Sequence, residues 1–306
     1  MKQSGVIGKL TAYGRLLRPG QWVKSAFVPA PLFFGGALFN ANLAVQALVA
    51  TVAFSLVASS VYCINDLIDA PKDRLHPVKR RRPIASGAVS GAEAVALSAV
   101  TLAAGVALPL AAGGSNDISV SLILLGYWLL NLGYCLGLKR VALLDVFIIA
   151  LGFVLRLYAG GAATHITPSA WLTLMTLLLT LFLGFAKRRD DVLLMNRTGV
   201  QMRHNIGRYN LLFLDQTLSI LLGALLICYI QYTMSDDLNP QNGHSSLLYL
   251  TVIPVLFALL RYLQLTQVFS KSGSPTKVLY SDAVILICLL IWILLFASFL
   301  YLPPLL

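Results

Sequence analysis

The sequence predicts an all-α polytopic membrane protein, and two observations support this prediction. Of the 306 residues, 58% are hydrophobic and only 11% are charged, whereas about a quarter of the residues of a soluble domain are charged. Apolar runs of the roughly 18 to 20 residues needed to cross a hydrocarbon core recur along the whole chain. The runs are continuous rather than alternating, and backbone groups in lipid must be satisfied within the segment, so they predict helices rather than barrel strands.

We expect nine spans in one domain of residues 1–306, because the runs leave no room for a separate soluble domain. The predicted spans are residues 22–39, 42–64, 91–112, 119–138, 141–163, 168–186, 211–233, 246–268 and 280–302.

Basic residues occur in every second connection between these spans. They occur in the N-terminal arm and after the second, fourth, sixth and eighth spans, where the last group is Lys271 and Lys277; the other connections and the C-terminal tail contain no Lys or Arg. The positive-inside rule therefore predicts a cytoplasmic N-terminus and an outer C-terminus. We expect an integral protein of a bacterial-type inner membrane. Attraction between its net charge of +11 and anionic lipid headgroups is the simpler explanation for some of the basic residues. The sequence leaves a homo-oligomer open.

The end of the second span carries closely spaced oxygen-bearing side chains. Asn65, Asp69 and Asp73 are spaced i, i+4, i+8, and His76 follows, so a helix that continues to the membrane surface would place them on one stripe. Amide and carboxylate oxygens suit Mg²⁺, which takes one or two carboxylates and completes its shell with water and phosphate. Asp66 lies about 100° away from this stripe and is expected to support it. We expect both Asp66 and His76 to contribute to substrate binding. The pattern predicts a magnesium site at Asn65, Asp69 and Asp73.

A basic segment follows directly. Pro77 should end the helix, and four of the next five residues are Lys or Arg. We expect Lys79 and Arg82 to contact phosphate groups, and Arg80 and Arg81 either to share this role or to face solvent. A metal site beside a basic loop indicates a site for a diphosphate with Mg²⁺; the alternative is a solvated charged loop. A nucleic-acid site is not expected, because the run adjoins a membrane span.

Three motifs together resemble the UbiA superfamily of intramembrane prenyltransferases. They are NDLIDAPKD at residues 65–73, RPGQW at residues 18–22 and RPIASG at residues 82–87. The resemblance covers the whole chain, including the nine spans and their polarity. It implies a helical bundle with a central cavity opening to the cytoplasm, active-site loops at residues 65–90 and 184–210, and a lateral opening for a polyprenyl chain.

The chain departs from the common pattern of that superfamily after the sixth span. Typical members carry a second Asp-rich motif there, whereas this sequence has FAKRRDDVLL, with Lys187 and Arg188 where carboxylates are expected. With His76 and the basic run, this substitution resembles the branch of decaprenyl-phosphate phosphoribosyltransferases. That resemblance implies transfer of 5-phosphoribosyl from phosphoribosyl diphosphate to a polyprenyl phosphate, with release of diphosphate. The product would be a lipid-linked pentose precursor for arabinose-containing glycans, and whether these belong to a cell wall stays open.

The charge pattern agrees with such a substrate pair. A donor with a diphosphate and a 5-phosphate, together with a phosphorylated acceptor, calls for more cations and fewer carboxylates than a prenyl diphosphate does. We expect Asp69, Asp73 and Lys187 to be catalytic. Lys187 and Arg188 would hold the second phosphate, and Asp190 or Asp191 would orient them or bind ribose hydroxyls.

Four further residues are candidate substrate contacts. Lys24, at the membrane surface, suits the lipid phosphate, although an interfacial lysine that snorkels is the alternative. Arg156 lies well inside a span and shares a face with Asp145, so it either contacts substrate or pairs with that carboxylate as structure. Tyr134 and Lys139 are implied as substrate contacts by the resemblance.

Two other functions are weighed against this one. A prenyltransferase that moves a prenyl group onto an aromatic acceptor should carry a second carboxylate cluster, and KRRDD argues against it. A transporter should place its polar groups near the midplane on broken helices of repeated halves, whereas nearly all the charge here lies at one membrane face. The length and saturation of the lipid stay open.

Overall fold

The structure, a computed structural model, describes residues 6–76, 78–113, 117–199, 205–235, 247–269, 278 and 281–301. Three of the predicted features lie outside the described residues: the helix-ending Pro77, the basic residues Lys271 and Lys277, and the C-terminal tail. All regular structure in the described part of the chain is helical, so the all-α prediction is confirmed.

The α-helices are α1 Val6–Leu17, α2 Ala30–Phe34, α3 Ala41–Leu75, α4 Gly91–Ala112, α5 Asp117–Leu136, α6 Leu144–Thr164, α7 Ala170–Thr198, α8 Leu211–Met234, α9 Val252–Gln267 and α10 Ala283–Tyr301. Short 3-10 helices cover Pro19–Phe27, Lys79–Arg81, Leu138–Arg140, Ile206–Arg208 and Leu248–Thr251. Helix α1 falls in the N-terminal arm, for which the sequence predicted no helix.

Eight helices of the described chain are long and apolar enough to cross a membrane, and they correspond to eight of the nine predicted spans. The predicted first span, residues 22–39, has a different form. It consists of the 3-10 helix Pro19–Phe27 and the five-residue α2, which ends at Phe34 and is followed by Gly35. Pro29 and Pro31 interrupt the backbone hydrogen-bond ladder here, so the apolar run does not form one continuous helix.

Two spanning helices continue past the apolar runs that predicted them. Helix α3 extends to Leu75, as predicted for a helix that continues past its apolar run, and Pro71 does not end it; the prediction of a loop from residue 65 was therefore wrong over residues 65–75. Helix α7 extends to Thr198, so the prediction of a loop from residue 184 was wrong over residues 184–198. The KRRDD motif is therefore presented by a helix rather than by a loop.

Side-chain caps start several of these helices. Asn40 accepts hydrogen bonds from two backbone N–H groups at the start of α3. Ser90 and Glu93 form a capping box at the start of α4, and Ser169 and Asn210 cap α7 and α8. Such caps satisfy donors that have no partner within the helix, which explains why helices begin at these residues.

The chain folds into two compact units, and the expectation of one domain stays a prediction. The first unit comprises residues 1–139 and 155–168, and the second comprises residues 140–154 and 169–306. In the first unit α3 packs against α4 and α5, with Phe54 and Leu124 in the core. A glycine allows one close approach: a Cβ on Gly160 would overlap the carbonyl oxygen of Val28.

The second unit has its own apolar core. Helix α7 packs against α8, and α9 packs against α10. Phe182, Phe185, Leu214 and Leu218 form the centre of this core together with Tyr262. Both units thus bury apolar side chains between helices and leave other apolar side chains exposed, as expected for helices that contact lipid.

Candidate active site

Two buried carboxylates lie at the end of α3 in the first unit. Asp66 is 2% exposed and Asp73 is 4% exposed. The guanidinium of Arg82 bridges them, with Nη1 at 3.1 Å from Asp66 Oδ1 and 2.7 Å from Asp73 Oδ2. Because buried carboxylates are costly unless they are paired, this bridge accounts for their burial.

A second arginine joins the same cluster from the N-terminal segment. Arg18 Nη2 lies 2.6 Å from Asp66 Oδ1, and its guanidinium lies over the ring of Tyr62, 5.1 Å from the centroid. Nearby, Trp22 Nε1 donates to Ser59 Oγ at 3.0 Å. The RPGQW and RPIASG motifs therefore both contribute an arginine to Asp66 of the NDLID motif, a convergence that the sequence did not reveal.

Asn65 and Asp69 lie in a separate polar group. Lys139 Nζ is 2.7 Å from Asp69 Oδ1 and 3.4 Å from Asn65 Oδ1. The thiol of Cys135 lies 3.6 Å from the same Asn65 oxygen. The Asp69 side chain is 28% exposed and is therefore more accessible than those of Asp66 and Asp73. Lys139, which only the family resemblance implicated, is the cation that pairs with it.

Helix geometry explains why the predicted stripe divides into two groups. Positions i and i+8 are offset by about 80° on an α-helix, whereas positions i and i+7 are offset by only about 20°. Asp73 therefore shares a face with Asp66, not with Asn65. The expectation that Asp66 lies off the stripe containing Asp73 was wrong, and the two share Arg82 instead.

The donor set fits a divalent cation only in combination with substrate. Among the residues that the structure describes, no three His, Cys, Asp or Glu side chains form a group that could hold a metal. Magnesium, however, usually takes one or two protein carboxylates and obtains its other ligands from water and phosphate. Asn65 and Asp69 supply oxygen ligands of that kind, and Asp73 lies one turn further along α3 in the neighbouring group.

The basic turn after α3 is shaped by His76. Its Nδ1 accepts hydrogen bonds from the backbone N–H groups of Val78 and Lys79, both at 3.2 Å. The 3-10 helix Lys79–Arg81 follows. Since the imidazole is engaged with the backbone, the structure gives His76 a part in positioning this turn, and its contact with substrate stays a prediction, as do those of Lys79 and Arg80.

Arg156 is buried in the first unit between aromatic rings. Its guanidinium lies 4.7 Å from the ring centroid of Phe54 and 4.9 Å from that of Tyr127, and Nη2 donates to the Tyr127 hydroxyl at 3.1 Å. Asp145 is eleven residues earlier on α6, which is about 16 Å along a helix. The predicted alternative, an Arg156–Asp145 pair, is not the pair that the structure contains, because Asp145 pairs with Arg188.

The second unit contains that buried ion pair. Arg188 Nε donates to Asp145 Oδ2 at 2.8 Å, and both residues are at most 1% exposed. The hydroxyl of Tyr209 donates to Asp145 Oδ1 at 3.1 Å and accepts from the backbone N–H of Leu143. Burial raises the pKa of Tyr209 to about 12, so its phenol stays protonated. Arg188 therefore has an internal carboxylate partner, and its contact with a substrate phosphate stays a prediction.

The neighbouring residues of the KRRDD motif differ in their surroundings. Lys187, Asp190 and Asp191 are half-buried on α7, and Arg188 Nη1 lies 3.7 Å from Asp191 Oδ2. Arg189 pairs with Asp215 of α8, with Nε 2.6 Å from Oδ1, and donates to the carbonyl of Thr266.

Asp215 and Tyr209 take part in these buried ion-pair clusters, and the sequence analysis did not predict a role for either of them. A carboxylate within an apolar span is unusual, and that signal pointed to Asp215. Lys24 and Tyr134 are half-buried in the 3-10 helix Pro19–Phe27 and in α5, and their roles as substrate contacts stay predictions.

Comparisons with known proteins agree with this architecture. Residues 27–278 match the model of the UbiA prenyltransferase family. Over 293 residues the chain is 31% identical to a decaprenyl-phosphate phosphoribosyltransferase of Corynebacterium glutamicum, covering 95% of this chain and 87% of the relative. It is 33% identical to a protein of the same description from Mycolicibacterium smegmatis, covering 91% of this chain and 89% of the relative.

Solved structures show the same fold. A UbiA homolog from Archaeoglobus fulgidus bound to GPP and Mg²⁺ superimposes with a TM-score of 0.68 at 19% identity, covering 94% of this chain and 97% of the homolog. The matched family model spans most of the chain, and the relatives match it nearly from end to end. The chain is therefore an integral membrane protein that belongs to the UbiA prenyltransferase family.

Proposed function

We propose that this protein transfers 5-phosphoribosyl from phosphoribosyl diphosphate to a polyprenyl phosphate of the decaprenyl type and releases diphosphate. The observation that carries the proposal is the similarity, over more than nine-tenths of the chain, to relatives described as decaprenyl-phosphate phosphoribosyltransferases. The replacement of a second acidic motif by Lys187 and Arg188 supports it, because the substrates of this reaction carry more phosphate groups than a prenyl diphosphate does.

In this proposal the diphosphate of the donor binds at the end of α3. Asp69 and Asp73, with Asn65, would hold Mg²⁺, as supported by the oxygen donor set and by a homologous structure with GPP and Mg²⁺. When bound, the ion would neutralise charge on the departing diphosphate. Arg82 and Lys139 are already paired with these carboxylates, so they lie where a diphosphate would find cations.

The reaction itself makes few demands on the protein. An oxygen of the lipid phosphate forms a bond to the anomeric carbon of ribose, and the bond from that carbon to the diphosphate breaks, through an oxocarbenium-like transition state. The nucleophile is already an anion, so no general base is required. Lys79, Arg80 and Lys187 would position and neutralise phosphate groups. Arg188 and Tyr209 would keep Asp145 in place and so stabilise the contact between α6 and α7.

We place the reaction at the cytoplasmic face of a bacterial inner membrane. The basic connections predict that side by the positive-inside rule, and the water-soluble donor would be supplied there. The product would be a lipid-linked pentose phosphate, suited to reactions that build arabinose-containing glycans.

The test is transfer of label from phosphoribosyl diphosphate labelled in the ribose into an organic-extractable lipid. Purified protein in detergent is supplied with decaprenyl phosphate and Mg²⁺, and wild type is compared with Asp69→Asn and Lys187→Ala. We expect magnesium-dependent labelling that falls at least a hundredfold in Asp69→Asn and at least tenfold in Lys187→Ala.

A matched control is Arg74→Gln, which removes an exposed charge from the last turn of α3. It should retain activity within twofold of wild type. Absence of labelled lipid with well-folded wild-type protein would overturn the proposed function.

A further inference from the structure

A cavity next to the carboxylate cluster contains two arginines, Arg15 and Arg18, to which no role toward substrate has been assigned. It is open, has a volume of about 380 Å³ and lies wholly within the first unit. Arg15, Arg18 and Arg82 line it, and Gly20 lies in its wall. The buried Asp66 is its acidic component. Three guanidinium groups in one cavity are an unusual concentration of positive charge.

The described carboxylates do not balance this charge. Arg18 and Arg82 donate to Asp66, and Arg82 also donates to Asp73. Three positive charges against two negative charges leave one positive charge. The described hydrogen bonds use one terminal nitrogen of Arg18 and one of Arg82, whereas each guanidinium has five N–H donors. The cavity can therefore accept a further anion.

Arg18 is held in position before any ligand binds. Its backbone is in the left-handed region, with φ 54° and ψ 58°, a conformation that non-glycine residues adopt only where their surroundings enforce it. Its guanidinium is fixed by Asp66 at 2.6 Å and by the ring of Tyr62. Such a group loses little freedom when it binds a ligand, which favours affinity.

The chemistry of the cavity favours a phosphate group. Planar guanidinium groups bind phosphate oxygens through paired hydrogen bonds, and two or more arginines suit the double charge of a phosphate monoester. The proposed reaction brings two such monoesters, the 5-phosphate of the donor and the phosphate of the lipid.

We propose that Arg15 and Arg18, together with Arg82, form a binding site for a phosphate monoester in this cavity. The choice of ligand rests on the proposed function, whereas the site itself rests on the cavity and its charge. The 5-phosphate of ribose and the phosphate of an isoprenoid share this chemistry, and the experiment distinguishes them.

The test measures equilibrium binding of ribose 5-phosphate and, separately, of farnesyl phosphate to the full-length protein in detergent. We expect wild type to bind at least one of the two. Arg15→Gln should weaken that binding tenfold or more, and the compound affected identifies the source of the phosphate. Lys9→Gln, on the same helix but paired with Glu93, is the matched control and should bind as wild type does.

A second variant guards against loss of folding. Arg18→Lys keeps a positive charge near Asp66 but cannot form paired hydrogen bonds, and it should weaken the same compound. The proposal is overturned if wild type binds neither compound, or if Arg15→Gln binds both as tightly as wild type does. Because this assay requires no turnover, an arginine-dependent phosphate site in a protein without phosphoribosyl transfer would refute the proposed function alone.

Discussion

Lys139 and Asp69 form an ion pair across two helical segments, with Nζ 2.7 Å from Oδ1. The lysine lies just past the end of α5, and the carboxylate lies one turn after Asn65 on α3. This pair couples a cation of the protein to the carboxylate that we assign to magnesium. A metal ion at Asp69 would therefore compete with Lys139 for the same oxygen.

Replacement of Lys139 tests this competition. We expect Lys139→Met to lower the Mg²⁺ concentration that gives half-maximal transfer, because the competing cation is gone. The maximal rate should fall at least tenfold, because the diphosphate loses a positive charge. The measurement is initial rate against Mg²⁺ concentration, and an unchanged magnesium dependence would refute the competition.

Asp66 should matter for folding as well as for activity. Asp66→Asn removes the buried carboxylate that Arg18 and Arg82 share. The loss of these charge-assisted hydrogen bonds costs about 1.5 to 3 kcal/mol, because both guanidinium groups are 28% exposed and Arg82 keeps Asp73. We expect a clearly lower melting temperature in detergent. Asp69→Asn, at a more exposed carboxylate, is the control and should melt closer to wild type; equal melting temperatures of the two variants would contradict the account.

Gly160 on α6 should be intolerant of a side chain. A Cβ on Gly160 would overlap the carbonyl of Val28, so Gly160→Ala must separate α6 from the N-terminal segment and should lower the melting temperature. Gly223 is the matched control on α8, since a Cβ there meets no described atom within 4 Å. Gly223→Ala should be neutral or stabilising by up to about 1 kcal/mol. A tolerated Gly160→Ala would show that this contact is not close.

Acid should weaken the start of α10 through Asp282. Hydrogen bonds from Arg261 hold the pKa of this carboxyl below its usual value, and the carboxylate also accepts from the backbone N–H of Ile285. A lowered pKa stabilises the fold at pH values above the unfolded pKa of about 4. That contribution is lost as the pH falls through the folded-state pKa.

The measurement for this prediction is melting temperature between pH 6 and pH 3. Asp282→Asn keeps a capping side chain but removes the charge. The variant should be less stable than wild type at pH 6, and the difference should shrink at pH 3. A difference that is independent of pH would contradict the assigned ion pair.

Hydropathy predicted the membrane helices well because each of them must present a long apolar run to the hydrocarbon core of the membrane. Most predicted boundaries lie within three residues of the observed helix ends, as at residues 91–112 for α4. The ends of α3 and α7 lie beyond the predicted spans. The first span differs most, because its composition is apolar while Pro29 and Pro31 prevent a continuous helix. Composition averages over a segment, whereas proline acts at a single hydrogen bond.

The sequence indicated which residues belong to the candidate site, but not which of them pair with one another. The spacing of Asn65, Asp69 and Asp73 correctly indicated a polar end of α3, but the partners come from distant segments. Arg18 and Asp66 are 48 residues apart, and Arg188 and Asp145 are 43 apart. Nothing in local periodicity specifies which arginine neutralises which carboxylate, since that depends on how helices pack.

The most direct measurement of the central claim offers the same purified protein two substrate pairs. One is phosphoribosyl diphosphate with decaprenyl phosphate, and the other is geranylgeranyl diphosphate with an aromatic acceptor such as 4-hydroxybenzoate, both with Mg²⁺. We expect release of diphosphate and formation of a phosphoribosylated lipid with the first pair only. Prenylation of the aromatic acceptor, without any product from the first pair, would contradict this claim.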